Sequence, residues 1–222
     1  MPRPLLVFAA FAALCASAVA LVLGLSSGGP ARPPAAAPGG LVNGFYGPTA
    51  PPSMPAIDFT LRDLEGRRVR LSDYAGRPVV LVFVDSTCAR VCPLVAQQLR
   101  GTLGELADPV PVIAISVDPS QDTAAHVRRF LAAADLRGRV AYVAGPRESL
   151  VPIWRFFGIG PESPAGSTSA NFSLDIELLD KTGKPRIGYT ELKELDPDLI
   201  AHDIETLARS PAARVAPPRV GL

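Results

Sequence analysis

The sequence predicts an α/β fold. Two continuous apolar runs, residues 78–84 and 110–117, are each followed by a stretch of helical apolar spacing, residues 94–106 and 123–134. An uninterrupted apolar run of this length marks a strand buried on both faces, because a strand with one wet face alternates instead. A third observation comes late in the chain. Residues 174–179 and 186–189 flank the turn Asp180-Lys181-Thr182-Gly183, and a closing helix follows at 199–207.

In chain order, residues 1–4 form a short N-terminal segment carrying Arg3, and residues 5–25 contain no charge. About 20 apolar residues cross a bilayer as a helix. The apolar run continues past the small residues at 16–18, so it reads as an uncleaved signal anchor and not as a removed leader. Arg3 on the short side places that end in the cytoplasm and the body of the chain on the extracytoplasmic side. Residues 26–55 are rich in Pro, Gly and Ala and are expected to act as a spacer. The folded domain is expected at 56–209, and residues 210–222 are expected to be disordered.

The domain opens with a hairpin turning at Glu65-Gly66, followed by the two buried strands and their helices. A short strand at 140–143 and a helix at 148–157 ending at Gly158 come next. Strand, helix, strand, helix, hairpin and helix in this order make an α/β sandwich of thioredoxin type.

The net charge of +1 and the 19% of charged residues offer no single-sign field for a nucleic acid or an acidic substrate. Chemistry is concentrated instead in the cysteines. Cys15 lies in the apolar N-terminal run, and its preceding Leu14 is too bulky for a lipid-attachment signal. Cys88 and Cys92 lie four positions apart, where a structural disulfide would close almost no loop. They follow a buried strand and open a helix with Pro93 in its first turn. Helix-start amides are expected to favour thiolate, Cys92 being nearest to them, with Arg90 adding positive charge. Thiolate is the form that attacks disulfides and the form that binds soft metals, and two sulfurs suit Cu(I).

Phe83-Val-Asp-Ser-Thr-Cys88-Ala-Arg-Val-Cys92-Pro93-Leu94, then Ser116-Val-Asp-Pro-Ser-Gln-Asp-Thr123, resembles the Sco/SenC family. Asp58-Phe-Thr-Leu and Leu71-Ser-Asp-Tyr-Ala-Gly76 are similar to that family's opening hairpin. The resemblance spans about residues 57–189. It implies a membrane-anchored, thioredoxin-fold copper chaperone for the copper centre of cytochrome c oxidase, with Cys88 and Cys92 as copper-binding and redox-active sulfurs. The family's third ligand is a histidine about eight residues before the aspartate that is Asp180 here. That count lands on Phe172, between Asn171 and Ser173. His126 and His202 fall in helices and read as ordinary helix residues.

Losing an imidazole weakens Cu(II) binding more than Cu(I) binding. The chain is therefore expected to bind and deliver Cu(I), to keep oxidase cysteines reduced, or both, as a monomer whose partner is an oxidase subunit or another extracytoplasmic thiol protein. The alternative is a general thiol-disulfide oxidoreductase without copper. A peroxiredoxin is disfavoured, because Asp85 stands where a threonine is wanted. Asp85 is expected to cap its turn and Asp122 to cap the second helix.

Overall fold

The computed structural model describes residues 40–159, 175–211 and 219–221. Strands β1 (Ala56–Asp58), β2 (Thr60–Arg62) and β3 (Arg68–Arg70) lead to β4 (Val79–Val84), and helix α1 (Cys92–Glu105) follows. Then come β5 (Val112–Ser116), α2 (Ala124–Ala133), β6 (Ala141–Val143) and α3 (Arg147–Phe157). The chain ends with β7 (Asp175–Leu179), β8 (Pro185–Tyr189), α4 (Pro197–Arg209) and β9 (Arg219–Gly221).

The central sheet has the order β6-β5-β4-β7-β8. Strands β4, β5 and β6 run parallel, and β7 and β8 are antiparallel. All six residues of β4 are buried, as its unbroken apolar run requires. Val80, Val82 and Val84 face Val95 and Leu99 of α1 and Ile200 and Ile204 of α4. Leu81 and Phe83 face Leu150, Ile153 and Trp154 of α3. The helices therefore cover both sides of the sheet, giving the thioredoxin-like sandwich expected from the element order. Helix α3 stops at Gly158, whose φ of +70° closes a left-handed cap that most other residues would strain to adopt. The first hairpin turns through Gly66, as expected. Helices α1 and α4 meet closely at Gly101, where a Cβ would lie 2.9 Å from Pro197 Cγ.

Both ends of the domain extend beyond the boundaries read from composition. Phe45 is only 5% exposed, within the stretch expected to be a spacer. The fully buried carboxylate of Asp203 on α4 accepts from the Tyr46 and Gly47 amides, each at 2.9 Å, and from the Tyr189 hydroxyl at 2.7 Å. Gly47 is pressed so closely on Ile187 and Tyr189 that no side chain would fit. The Ala50 amide then reaches Arg186 O at 2.8 Å, so this segment covers the outer edge of β8. A Pro- and Gly-rich segment can be ordered without apolar side chains when a buried acceptor takes its amides. Within the tail expected to be disordered, residues 219–221 pair in parallel with β1. The expected membrane span at 5–25 lies outside the described residues, and no helix among the described residues is long and apolar enough to cross a membrane.

Replacing Asp203 by Ala leaves two amides and a hydroxyl without their acceptor. Urea denaturation is expected to show a loss of about 3 kcal/mol, and limited proteolysis to cut first near residues 45–50. An unchanged midpoint would show that the segment is not anchored there.

Candidate functional site

The site grows from the carboxyl end of β4, where the chain leaves the sheet at Val84 and turns through residues 85–91 into α1. Asp85 begins the turn. Its carboxylate accepts from the Thr87 amide and hydroxyl, both at 2.7 Å, and its carbonyl accepts from the Cys88 amide at 3.3 Å. That is the turn-capping role expected of Asp85.

Asp122 does something other than cap α2. The cap is Thr123, whose hydroxyl accepts from the His126 amide at 3.2 Å. The Asp122 carboxylate is 3% exposed and points inward. One oxygen accepts from the Ser86 amide at 2.8 Å and the Ser86 hydroxyl at 2.5 Å. The other accepts from the Ser116 hydroxyl at 2.6 Å and the Tyr142 hydroxyl at 2.7 Å. The loop that bears the cysteines is thereby held to β5 and β6. Burial, and after it the charge of Asp122, push the Tyr142 hydroxyl well above its usual pKa, so it remains a donor. Trp154 donates to the Ser116 carbonyl at 3.0 Å, which adds α3 to the same arrangement. Ser86, Ser116 and Asp122 all lie in the two motifs read from the sequence, but nothing in it showed that they meet, and Tyr142 gave no signal.

Cys88 and Cys92 are brought together as free thiols. Cys92 is the first residue of α1 and is buried, while Cys88 is half-buried on the loop. The Cys92 amide donates to Cys88 Sγ at 3.3 Å. The Cys88 sulfur therefore accepts the first amide of the helix, while the Leu94 and Val95 amides bond the Val91 carbonyl at 2.9 and 3.0 Å. Partial burial works against its thiolate. Hydrogen bonds from the Cys92 thiol and from the amides of Cys92, Arg90 and Val91 outweigh that cost, and the Cys88 pKa is lowered. Cys92 moves strongly the other way, first through burial and then through its contacts with Cys88 and the charge of Asp85. The sequence left open which cysteine attacks first; the geometry favours Cys88 as the thiolate. Arg90 acts through its backbone amide; its side chain is exposed, where charge is screened by water.

His126 and His202 stay away from the cysteines, as expected. The His126 ring lies 2.8 Å from the Gln121 carbonyl, and the His202 ring packs edge-on against Tyr46. Among the described residues no group of three His, Cys, Asp or Glu is placed to hold a metal ion. The Asn171-Phe172-Ser173 position lies outside the described residues. Leu94, on the first turn of α1, is 42% exposed and gives the rim of the site an apolar contact.

One titratable pair was not singled out in the sequence. Asp175 and Glu177 share one face of β7 and are buried on the α3 side of the sheet. Gly188 on β8 makes room for them, since a Cβ there would lie 2.7 Å from Glu177 Oε1. Burial raises both carboxyls, Asp175 to about 7 and Glu177, which also faces the Asp175 charge, to about 9.

The fold and this site define a thioredoxin-like protein whose dithiol opens a helix. The chain belongs to the SCO1/SenC family, whose model matches residues 48–209. The mitochondrial Protein SCO2 homolog of Bos taurus is 28% identical over 135 residues, 57% of this chain and 50% of that protein. The chain thus spans about half the length of the curated relatives it matches. BsSco, described as a member of the Sco family of cytochrome c oxidase assembly proteins in which a disulfide switch was identified, superposes with a TM-score of 0.60 at 21% identity, covering 72% of this chain and 96% of its own. ScoI of Bradyrhizobium japonicum with copper bound gives 0.52 at 24% identity, covering 68% and 98%. These likenesses show the fold.

The thiol asymmetry is tested by alkylation. At neutral pH, iodoacetamide is expected to modify Cys88 about tenfold faster than Cys92 by peptide mapping, and equal rates would contradict the geometry. The carboxyl pair is tested through stability. Both folded-state values lie above the ordinary 3.8 and 4.5, so the folded chain holds protons that the unfolded chain releases. Their contribution is complete below about pH 4 and is lost as pH rises through about 7 to 9. The urea midpoint is expected to fall between pH 5 and pH 9, and Glu177→Gln to flatten that fall. A midpoint rising over this range, or the same slope in Glu177→Gln, would count against it.

Proposed function

We propose that this chain receives Cu(I) on Cys88 and Cys92 and delivers it to an oxidase subunit on the extracytoplasmic side, tethered there by the apolar segment 5–25. Copper is cargo in this reading. The observation that carries it is the pairing of a half-buried sulfur that accepts the first amide of a helix with a second sulfur at the first residue of the same helix. Two thiolate sulfurs suit Cu(I), which accepts low coordination, better than Cu(II), which prefers nitrogen ligands. Family membership supports the reading, as does the copper-bound state of the Bradyrhizobium japonicum relative.

The same pair supports a second use, keeping the acceptor's cysteines reduced. The Cys88 thiolate attacks a partner disulfide, forming a mixed disulfide and releasing one partner sulfur, which takes up a proton. Cys92 then gives up its proton and attacks the Cys88 sulfur, releasing the second partner sulfur as a thiol. The partner gains two electrons and this chain is left with a Cys88–Cys92 disulfide, which an extracytoplasmic dithiol reductant restores. The specific observation favouring this second use is the division between an activated and a buried, protonated sulfur.

Anaerobic titration with Cu(I) in the presence of a competing chelator tests the first use. One Cu(I) per chain is expected, lost in both Cys88→Ala and Cys92→Ala. If the wild-type chain fails to take Cu(I) from a moderate chelator yet forms its disulfide reversibly, the general oxidoreductase replaces the copper reading.

A further inference from the structure

Strand β6 is the end strand of the central sheet. Its outer side is covered: Val143 is bridged to Asp63 of the first hairpin, and Tyr142 and Val143 are only 3% and 0% exposed. Beside it lies a groove of about 940 Å³ between the hairpin turn and α2. Its floor is apolar: half-buried Leu64, Leu131, Val140 and Ala141 lie over the buried Val112, Val127 and Tyr142. Its rim is strongly basic: five arginines line it, against the single carboxylate of Glu65.

The arginines are not equivalent. Arg67 is held by Asp63 and Glu65, and Arg139 donates to the Leu103 carbonyl at 2.7 Å. Arg128 and Arg129 on α2 and Arg137 before β6 are exposed and have no ion-pair partner among the described residues. Asp135, the nearest acidic residue in sequence, is paired with Arg100 instead. The chain's net charge is only +1, so this concentration of one sign is local. The groove reaches the amino-terminal ends of β5 and β6 through Pro111 and Val140, whereas Cys88 lies beyond the carboxyl end of β4. An occupant would leave the dithiol uncovered.

We propose that this groove docks an extended, acidic segment of a partner protein, with carboxylates toward Arg128, Arg129 and Arg137 and apolar side chains on the floor. Charge complementarity selects the partner, and in an extended segment every second side chain can reach the floor. A concave, apolar-floored groove suits a peptide; a bilayer surface would meet a flat basic face. The proposal does not depend on what the cysteines do.

The test uses the full chain in neutral detergent micelles and a fluorescent ten-residue peptide alternating glutamate with valine. Saturable binding is expected, weakening with added salt and by about tenfold in Arg128→Glu/Arg137→Glu. A lysine–valine peptide should not bind. Unchanged alkylation of Cys88 in the variant shows that the fold is intact. The proposal is overturned if the glutamate peptide does not saturate, or if the variant binds it equally well. It is also overturned if the peptide fails while phosphatidylglycerol vesicles bind through the same arginines, since the face would then meet a membrane.

Discussion

The arrangement of this domain depends most on the buried carboxylate of Asp122. A charge in the interior is costly unless every lone pair is engaged. Asp122 meets that condition with neutral donors only: an amide and three hydroxyls drawn from the cysteine loop, β5 and β6. Hydrogen bonds to a charged acceptor contribute about 1.5–3 kcal/mol each, so the loop is held by strong, directional contacts and not by apolar packing. The Cys88 sulfur can meet helix amides only if the turn from Asp85 to Val91 is placed correctly. Ser86, three residues after Phe83 and two before Cys88, is where that placement is set.

Asp203 uses the same physics toward the other edge of the sheet, collecting the amides of Tyr46 and Gly47 and the hydroxyl of Tyr189 on β8. Asp175 and Glu177 form the contrast. One Asp175 oxygen lacks a hydrogen-bond partner among the described residues. A carboxylate surrounded by donors can remain charged in the interior; two buried carboxyls side by side retain a proton instead. The same residue types therefore serve opposite ends, and the number of donors decides which.

The fold was legible because its main signals are local. The unbroken apolar runs produced β4 and β5, glycines at 66 and 183 produced the turns, and Gly158 ended α3. The domain boundaries were not, because residues 45–50 and 219–221 are ordered by partners more than a hundred residues away in sequence. The two cysteines were identified by their place at a strand-to-helix turn. Which of them is the better thiolate was not, because the sequence places Cys92 at the helix start without showing that its amide points back to the Cys88 sulfur. Asp122 was misread for a related reason. An aspartate beside a helix start resembles a cap until the burial of its carboxylate is known.

The asymmetry of the two sulfurs bears on both proposed uses of the site. An incoming partner, whether it carries Cu(I) or a disulfide, meets Cys88 first, because Cys88 is the more exposed and the better stabilised as thiolate. Cys92 is reached only afterwards, by a step made within the chain itself. Neither chemistry requires the buried sulfur to be free at encounter; each requires only that it be adjacent once Cys88 has reacted. Placing Cys92 at the first residue of a rigid helix, and Cys88 on a loop tied down by Asp122, satisfies that requirement without a third ligand. The two uses then differ in what remains on Cys88 after contact, a metal ion to be passed on or a mixed disulfide to be resolved, and not in the geometry that receives it.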